Sequence, residues 1–233
     1  MTIGKGTIWG RQVEPEDLGR DLLQFDSDAG LATFLGVRFG FDAAESLQPL
    51  ESLQPLESLQ PLQPLQPLQP LDVPPVALTG GSLWKTIGGP GVVGRFATPE
   101  ARRYPCDLAV AIADDVYHVF VASLVARNRW WTKAAVVMNA QDMRAYRFGH
   151  RAHPGDALLD IYEAHIAFAD VRKIAKRAKM GSHLPHPGIT ERRLPRVSFA
   201  FGRDRQLWLD ERRIGSVRRL EVVVVPDAFT VVV

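Results

Sequence analysis

CDLAVAIADDVYHVFVASLVA (residues 106–126) places two apolar, β-rich runs on either side of Asp114-Asp115. The pattern predicts strands over 106–114 and 116–126, joined by a tight hairpin at the two aspartates. The same style continues through AAVVMNA (134–140), MRAYRF (143–148) and LLDIYEAHIAF (158–168). It returns in RVSFAFG, QLWLDE, RRLEVVVVP and the closing FTVVV. Residues 106–233 therefore read as a β-sandwich or related antiparallel arrangement. VRKIAKRAK (171–179) breaks the pattern. Val171, Ile174, Ala175 and Ala178 form an apolar stripe, with Arg172, Lys173, Arg177, Lys176 and Lys179 around it, which predicts a short amphipathic helix.

On the N-terminal side, DLLQFD (21–26) fits a strand and SDAGLATFLG (27–36) a helix, with Ser27 or Asp28 as N-cap. VALTGG (76–81) reads as a second strand ending in two glycines, and SLWKTIGG (82–89) as a short helix closed by Gly88 and Gly89. Strand, helix, strand, helix is the outline of a small α/β layer. Between its halves, residues 45–62 repeat ESLQPL three times and 63–71 repeat QPL three times. Proline removes a backbone donor and restricts φ, so neither a helix nor a central strand is expected there. The segment reads as a solvated Pro-rich loop; its period of three also suits a ligand for a proline-recognising module. The expected organisation is α+β: a shortened α/β region over 1–44 and 72–105, a low-complexity loop over 45–71, and a β domain over 106–233.

Composition sets outer limits. The 233 residues are 46% apolar and 23% charged, ordinary for a globular chain. One cysteine, Cys106, excludes an internal disulfide and a CxxC zinc ribbon, and reads as a structural thiol. No run of 18 apolar residues is present, and MTIGKGTIWGRQ lacks the apolar stretch of a secretory signal. These features predict a cytoplasmic protein, including one peripheral to a membrane. The formal net charge of +2 hides an asymmetry: residues 151–220 carry 15 Lys/Arg against 8 Asp/Glu. Such a segment attracts phosphates, lipid headgroups or nucleic acid. An acidic first half, no RNP motif and no helix-turn-helix signature argue against nucleic acid.

Several residues are candidates for chemistry. Gly80 and Gly81, between a strand and a helix, let backbone N–H groups approach a phosphate, with Lys85 as a nearby cation; a tight turn is the competing reading. The same two readings apply to GKG (4–6). In HPGDALLD (153–160), a carboxylate at a strand entrance suits a general base or a magnesium–water network. GSHLPHPGI (181–189) and WLDERRIG (208–215) follow, with His183, Asp210 and Glu211 as further candidates.

The order of these segments resembles the C-terminal domain of bacterial diacylglycerol kinases and related lipid kinases. The carriers are Asp156-Ala157-Leu158-Leu159-Asp160, the basic helix 171–179, Gly181 to Pro187, Asp210-Glu211 and the final VVVVPDAFTVVV, over roughly residues 106–233. The resemblance implies a β-sandwich-like domain packed on a nucleotide-binding α/β domain, and ATP-dependent phosphorylation of a lipid hydroxyl with magnesium. It would make Asp156 the base and Asp160 structural. The family's GGDGT has its nearest match in Gly80-Gly81-Ser82-Leu83-Trp84, with Ser82 in the aspartate position and Leu83 in the following glycine position. Ala157 stands where the family's DG-x-LD segment has glycine. These departures imply a lipid-kinase-like protein with a degenerate nucleotide site, which binds an anionic ligand or a lipid surface through Arg172, Lys173, Lys176, Arg177 and Lys179. The alternative is an active small lipid kinase using ATP and magnesium; a nucleic-acid binder comes third.

Overall fold

The computed structural model describes residues 9–13, 22–41, 73–89 and 95–233. The ESLQPL/QPL repeat (45–71) and GKG (4–6) lie outside the described residues.

The strands are β1 (Arg11–Gln12), β2 (Leu23–Phe25), β3 (Val76–Leu78), β4 (Arg102–Ala113), β5 (Val116–Phe120), β6 (Ser123–Arg127), β7 (Lys133–Met138), β8 (Asp142–Met143), β9 (Tyr146–Arg147), β10 (Leu159–His165), β11 (Ile189–Leu194), β12 (Arg196–Leu209) and β13 (Arg212–Val232). The helices are α1 (Asp28–Arg38), α2 (Gly81–Thr86) and α3 (Phe168–Ala178). All strands except the β8–β9 hairpin belong to one sheet, whose main path runs β1-β4-β13-β12-β6-β7-β10-β11. The pairings are antiparallel except where β2 lies parallel to β3 and β3 parallel to the end of β13.

The expected sandwich is thus one continuous sheet, folded over a shared core rather than split in two. Ala109, Phe120, Leu124, Val137, Ile161 and Val222, from six different strands, belong to one buried cluster. The long strands β12 and β13 carry the sheet round this core, and the antiparallel pairings of β13 with β12 and with β4 each contain a register shift. RRLEVVVVP and FTVVV, two segments by sequence, are parts of the single strand β13. Pro226 falls within its shift between Val225 and Phe229, where the missing N–H breaks no ladder.

Alternation along β4 builds the opposite layer. Ala109, Ala111 and Ala113 face the folded-over core, whereas Leu108 and Val110 meet Leu31, Leu35 and Leu83 of α1 and α2. A third cluster, with Val125, Val136, Met138 and Tyr162, lies on the outer face of β6, β7 and β10.

Asp114 and Asp115 turn the β4–β5 hairpin with φ of 46° and 71°, as the sequence predicts. The expected strand 116–126 is broken at Val121-Ala122, because the Asp210 carboxylate takes the N–H groups of Val121, Ala122 and Ser123. MRAYRF is part of a small hairpin turned at Arg144, with φ 57°. The basic helix begins three residues earlier than expected, at Phe168. β11, ITERRL, is too charged to read as a strand in the sequence. It lies at one end of the sheet path and, among the described residues, pairs only with β10.

Candidate functional site

β2 and β3 run parallel, and α1 and α2 start at their C-terminal ends. In open α/β layers this is where ligands bind. A cleft of about 480 Å³ opens there, lined by Asp26, Asp28, Gly81, Lys85, Arg144 and Asp210 among others. Its walls come from the β2–α1 turn, the β3–α2 turn, the β8–β9 turn and the tip of the β12–β13 hairpin. Gly81, Lys85, Asp210 and Glu211 are thereby brought to one place.

The cleft is built around two buried carboxylates. Asp28, on the first turn of α1, accepts from Ser82 N–H (2.5 Å) and Leu83 N–H (3.0 Å) at the start of α2. Gly80 and Gly81 make this approach feasible. A Cβ on Gly80 would lie 2.3 Å from the Asp26 carbonyl oxygen, and one on Gly81, whose φ is +94°, 2.4 Å from Asp28 Oδ1. The glycines therefore bring backbone donors to a carboxylate of the chain itself. Asp210 accepts from Val121, Ala122 and Ser123 N–H at 2.8–2.9 Å. Burial raises the pKa of Asp28 above the ordinary carboxylate range. Burial, and next the charge of Asp28, push Asp210 up to about 7, against the lowering effect of its three N–H donors.

The cations of the cleft are tied across it. Lys85 Nζ donates to the Arg144 carbonyl (3.2 Å), and Arg144 Nε pairs with Glu211 (2.9 Å). Thr86 Oγ1 accepts from Gln141 N–H and donates to the Ser82 carbonyl, pinning α2 to the segment after β7.

Asp156 is not among the lining residues of the cleft. It pairs with Arg193, which also reaches Asp160 at 3.0 Å. Asp160 is buried and receives the Tyr162 hydroxyl. Ala157 has φ +61°, a left-handed conformation that favours glycine, and its N–H donates to buried Asp107. His183 is fully buried with its ring centroid 4.4 Å from that of Phe148, and burial pushes its pKa down to about 4. Arg172, Lys173, Lys176, Arg177 and Lys179 lie on or just after α3, with Lys173 paired to Asp170.

The sequence reading missed Asp28 beyond its capping role. Ser27 is the N-cap, its hydroxyl accepting from Gly30 N–H, which leaves Asp28 to reach α2. The available signal was an acidic residue at the end of the first parallel strand, opposite a Gly-Gly turn ending the second. Also unread was Arg127, at the end of β6. Its guanidinium lies 4.6 Å from the Trp131 ring centroid and 5.9 Å from that of Trp208.

No family model and no curated protein matches this sequence. Solved structures match the fold. A diacylglycerol kinase from Bacillus anthracis str. Sterne aligns with a TM-score of 0.50 at 15% identity, covering 70% of this chain and 68% of that one. Two structures from the same strain, whose assignment as a diacylglycerol kinase is provisional, each give a TM-score of 0.52 at 12% identity. One covers 70% of both chains, the other 68% of this chain and 69% of its own. At these identities the likeness is one of fold.

Proposed function

We propose that this chain, which shares its fold with solved diacylglycerol kinase structures, is a lipid-kinase-like protein that binds at an anionic lipid surface and transfers no phosphoryl group. One observation carries the reading: the Ser82 and Leu83 N–H groups donate to Asp28. A phosphate held at a strand–glycine–helix junction needs such donors free. Here an internal carboxylate stands on them, and a second negative charge at that spot repels a phosphate.

ATP with magnesium does not fit the residues present. The Asp210 carboxylate, the other buried acid of the cleft, is committed to three backbone donors. Among the described residues, no three His, Cys, Asp or Glu side chains group as metal ligands. Phosphoryl transfer relies on charge neutralisation around the transferring group.

The lipid-facing element is α3. Arg172 and Lys176 have no carboxylate partner among the described residues, and Phe168 precedes them at helical spacing on one stripe. Phe168 is 66% exposed and meets Trp130, 54% exposed, edge to face at 5.7 Å. Exposed aromatics beside a basic helix suit an anionic interface. An active small kinase is the second reading, favoured by the raised pKa values of Asp28 and Asp210 within one cleft.

The test joins a radiolabelled-ATP assay over a panel of lipid acceptors to vesicle co-sedimentation. We expect no transfer above blank, and binding to anionic vesicles that weakens with salt and with reversal of Arg172 and Lys176. Turnover that disappears in Asp156→Asn or Asp28→Asn would establish the kinase instead.

A further inference from the structure

We propose that the cavity between the β6 end and the β8–β9 hairpin is a binding site for a single-chain anionic amphiphile, with its head on Arg127 and its chain under α3. This rests on the lipid-binding reading above and names the class of lipid.

Two cavities adjoin here. One of about 280 Å³ is lined by Ser123, Arg127, Arg144 and Trp208 among others. The other, of about 200 Å³, is lined by apolar side chains that include Phe148, Tyr162, Val171, Ile174 and Ala175. Trp131, Met143 and Tyr146 line both, so the polar cavity leads into the apolar one.

The polar end holds donors without acceptors. Arg127 Nε and Trp208 Nε1 are buried and have no hydrogen-bond partner among the described residues. Among the described residues, Arg127 Nη1 reaches only the carbonyls of Asn128 and Arg129, and no carboxylate pairs with the guanidinium. Arg127 is half-buried between two indoles, and leaving its buried Nε donor unused is costly unless an anion completes it. A carboxylate or a phosphate monoester supplies the complementary charge and acceptors. The apolar end fits an alkyl chain, because Val171, Ile174 and Ala175 turn the inner face of α3 toward it. A head-to-chain gradient within one continuous lining matches one acyl chain better than a flat headgroup or a free anion.

The probes are oleate and oleoyl lysophosphatidate below their micellar concentrations. Oleyl alcohol and inorganic phosphate are controls for chain and head alone. Binding is read by calorimetry on the full chain without vesicles or nucleotide. We expect both anionic amphiphiles to bind at least tenfold more tightly than oleyl alcohol, and phosphate alone not to bind measurably. Arg127→Gln should weaken the anionic probes about tenfold or more while leaving oleyl alcohol unchanged. Ala175→Phe, which fills the chain end, should weaken oleate but not octanoate. The difference between oleate and lysophosphatidate identifies carboxylate or phosphate as the preferred head. Equal binding of oleate and oleyl alcohol, or unchanged oleate binding in both folded variants, would overturn the proposal. Vesicle binding that persists in Arg127→Gln would leave the surface reading standing, so the two fail separately.

Discussion

The N-terminal layer and the folded sheet are held by different means. β2 and β3 are three residues each, and the layer's helices have 11 and 6. β4, β12 and β13 have 12, 14 and 21 residues, and β13 pairs with both β4 and β12 along most of their lengths. Long ladders with alternating buried side chains stabilise the sheet cooperatively. The small layer depends on Leu31, Leu35 and Leu83 packing onto β4, and on Asp28 clamping α1 to α2. The cleft lies along the seam, with Asp28 from the weaker region and Asp210 from the stronger. The same chemistry, a carboxylate receiving backbone N–H groups, thus serves the two regions at different scales.

Removing each clamp should destabilise the two regions unequally. Asp210→Ala leaves three buried N–H groups unsatisfied at the break between β5 and β6. We expect a loss on the order of 4 kcal/mol in global stability by denaturant titration. Asp28→Asn removes one acceptor and turns an amide donor toward backbone donors. A loss of about 2 kcal/mol is expected, with faster hydrogen exchange confined to 22–41 and 73–89. If the two variants lost equal stability with the same exchange pattern, the regions would form one cooperative unit.

Acidity sharpens the contrast. His183 lies in the folded sheet's outer cluster with a pKa of about 4, below its unfolded value. The unfolded chain therefore binds the extra proton first, and stability falls as pH drops from about 6.5 toward 4. His183→Phe should recover about 2 kcal/mol relative to wild type at the acid end of this window. Asp210 acts with the opposite sign: its pKa of about 7 makes its contribution fade as pH rises from about 4 through 7. Denaturant titrations of both single variants from pH 4 to 8 separate the two slopes. The smallest effect is expected at the half-exposed pair Arg192–Glu163 on the paired strands β10 and β11. Glu163→Gln should change thermal stability by no more than about 0.5 kcal/mol.

The two regions also differed in how far the sequence revealed them. Alternating apolar runs and the Asp114-Asp115 turn made the antiparallel half readable, since strand period and hairpin chemistry are local. The continuity of β12 and β13 was not readable, because Gly202 and Pro226 look like breaks in a chain read locally. β11 stayed hidden because its alternate side chains are Thr190, Arg192 and charged neighbours rather than an apolar face. At the site, Gly80, Gly81 and Lys85 were visible as a turn beside a cation. What the turn approached was not visible. Asp28 lies more than fifty residues from Ser82, and only the parallel pairing of β2 with β3 brings them together. Asp210 reads as a hairpin aspartate, and its role depends on Val121 to Ser123, some ninety residues earlier.

Whether Asp28 holds backbone rather than ligand is decided most directly by the exchange rates of the Ser82 and Leu83 amides, with and without saturating magnesium and ATP. The two amides should be protected in the free chain and keep the same protection when both are added. A drop in their protection on addition would mean that the carboxylate leaves the α2 start to serve a bound metal nucleotide, and would contradict the account.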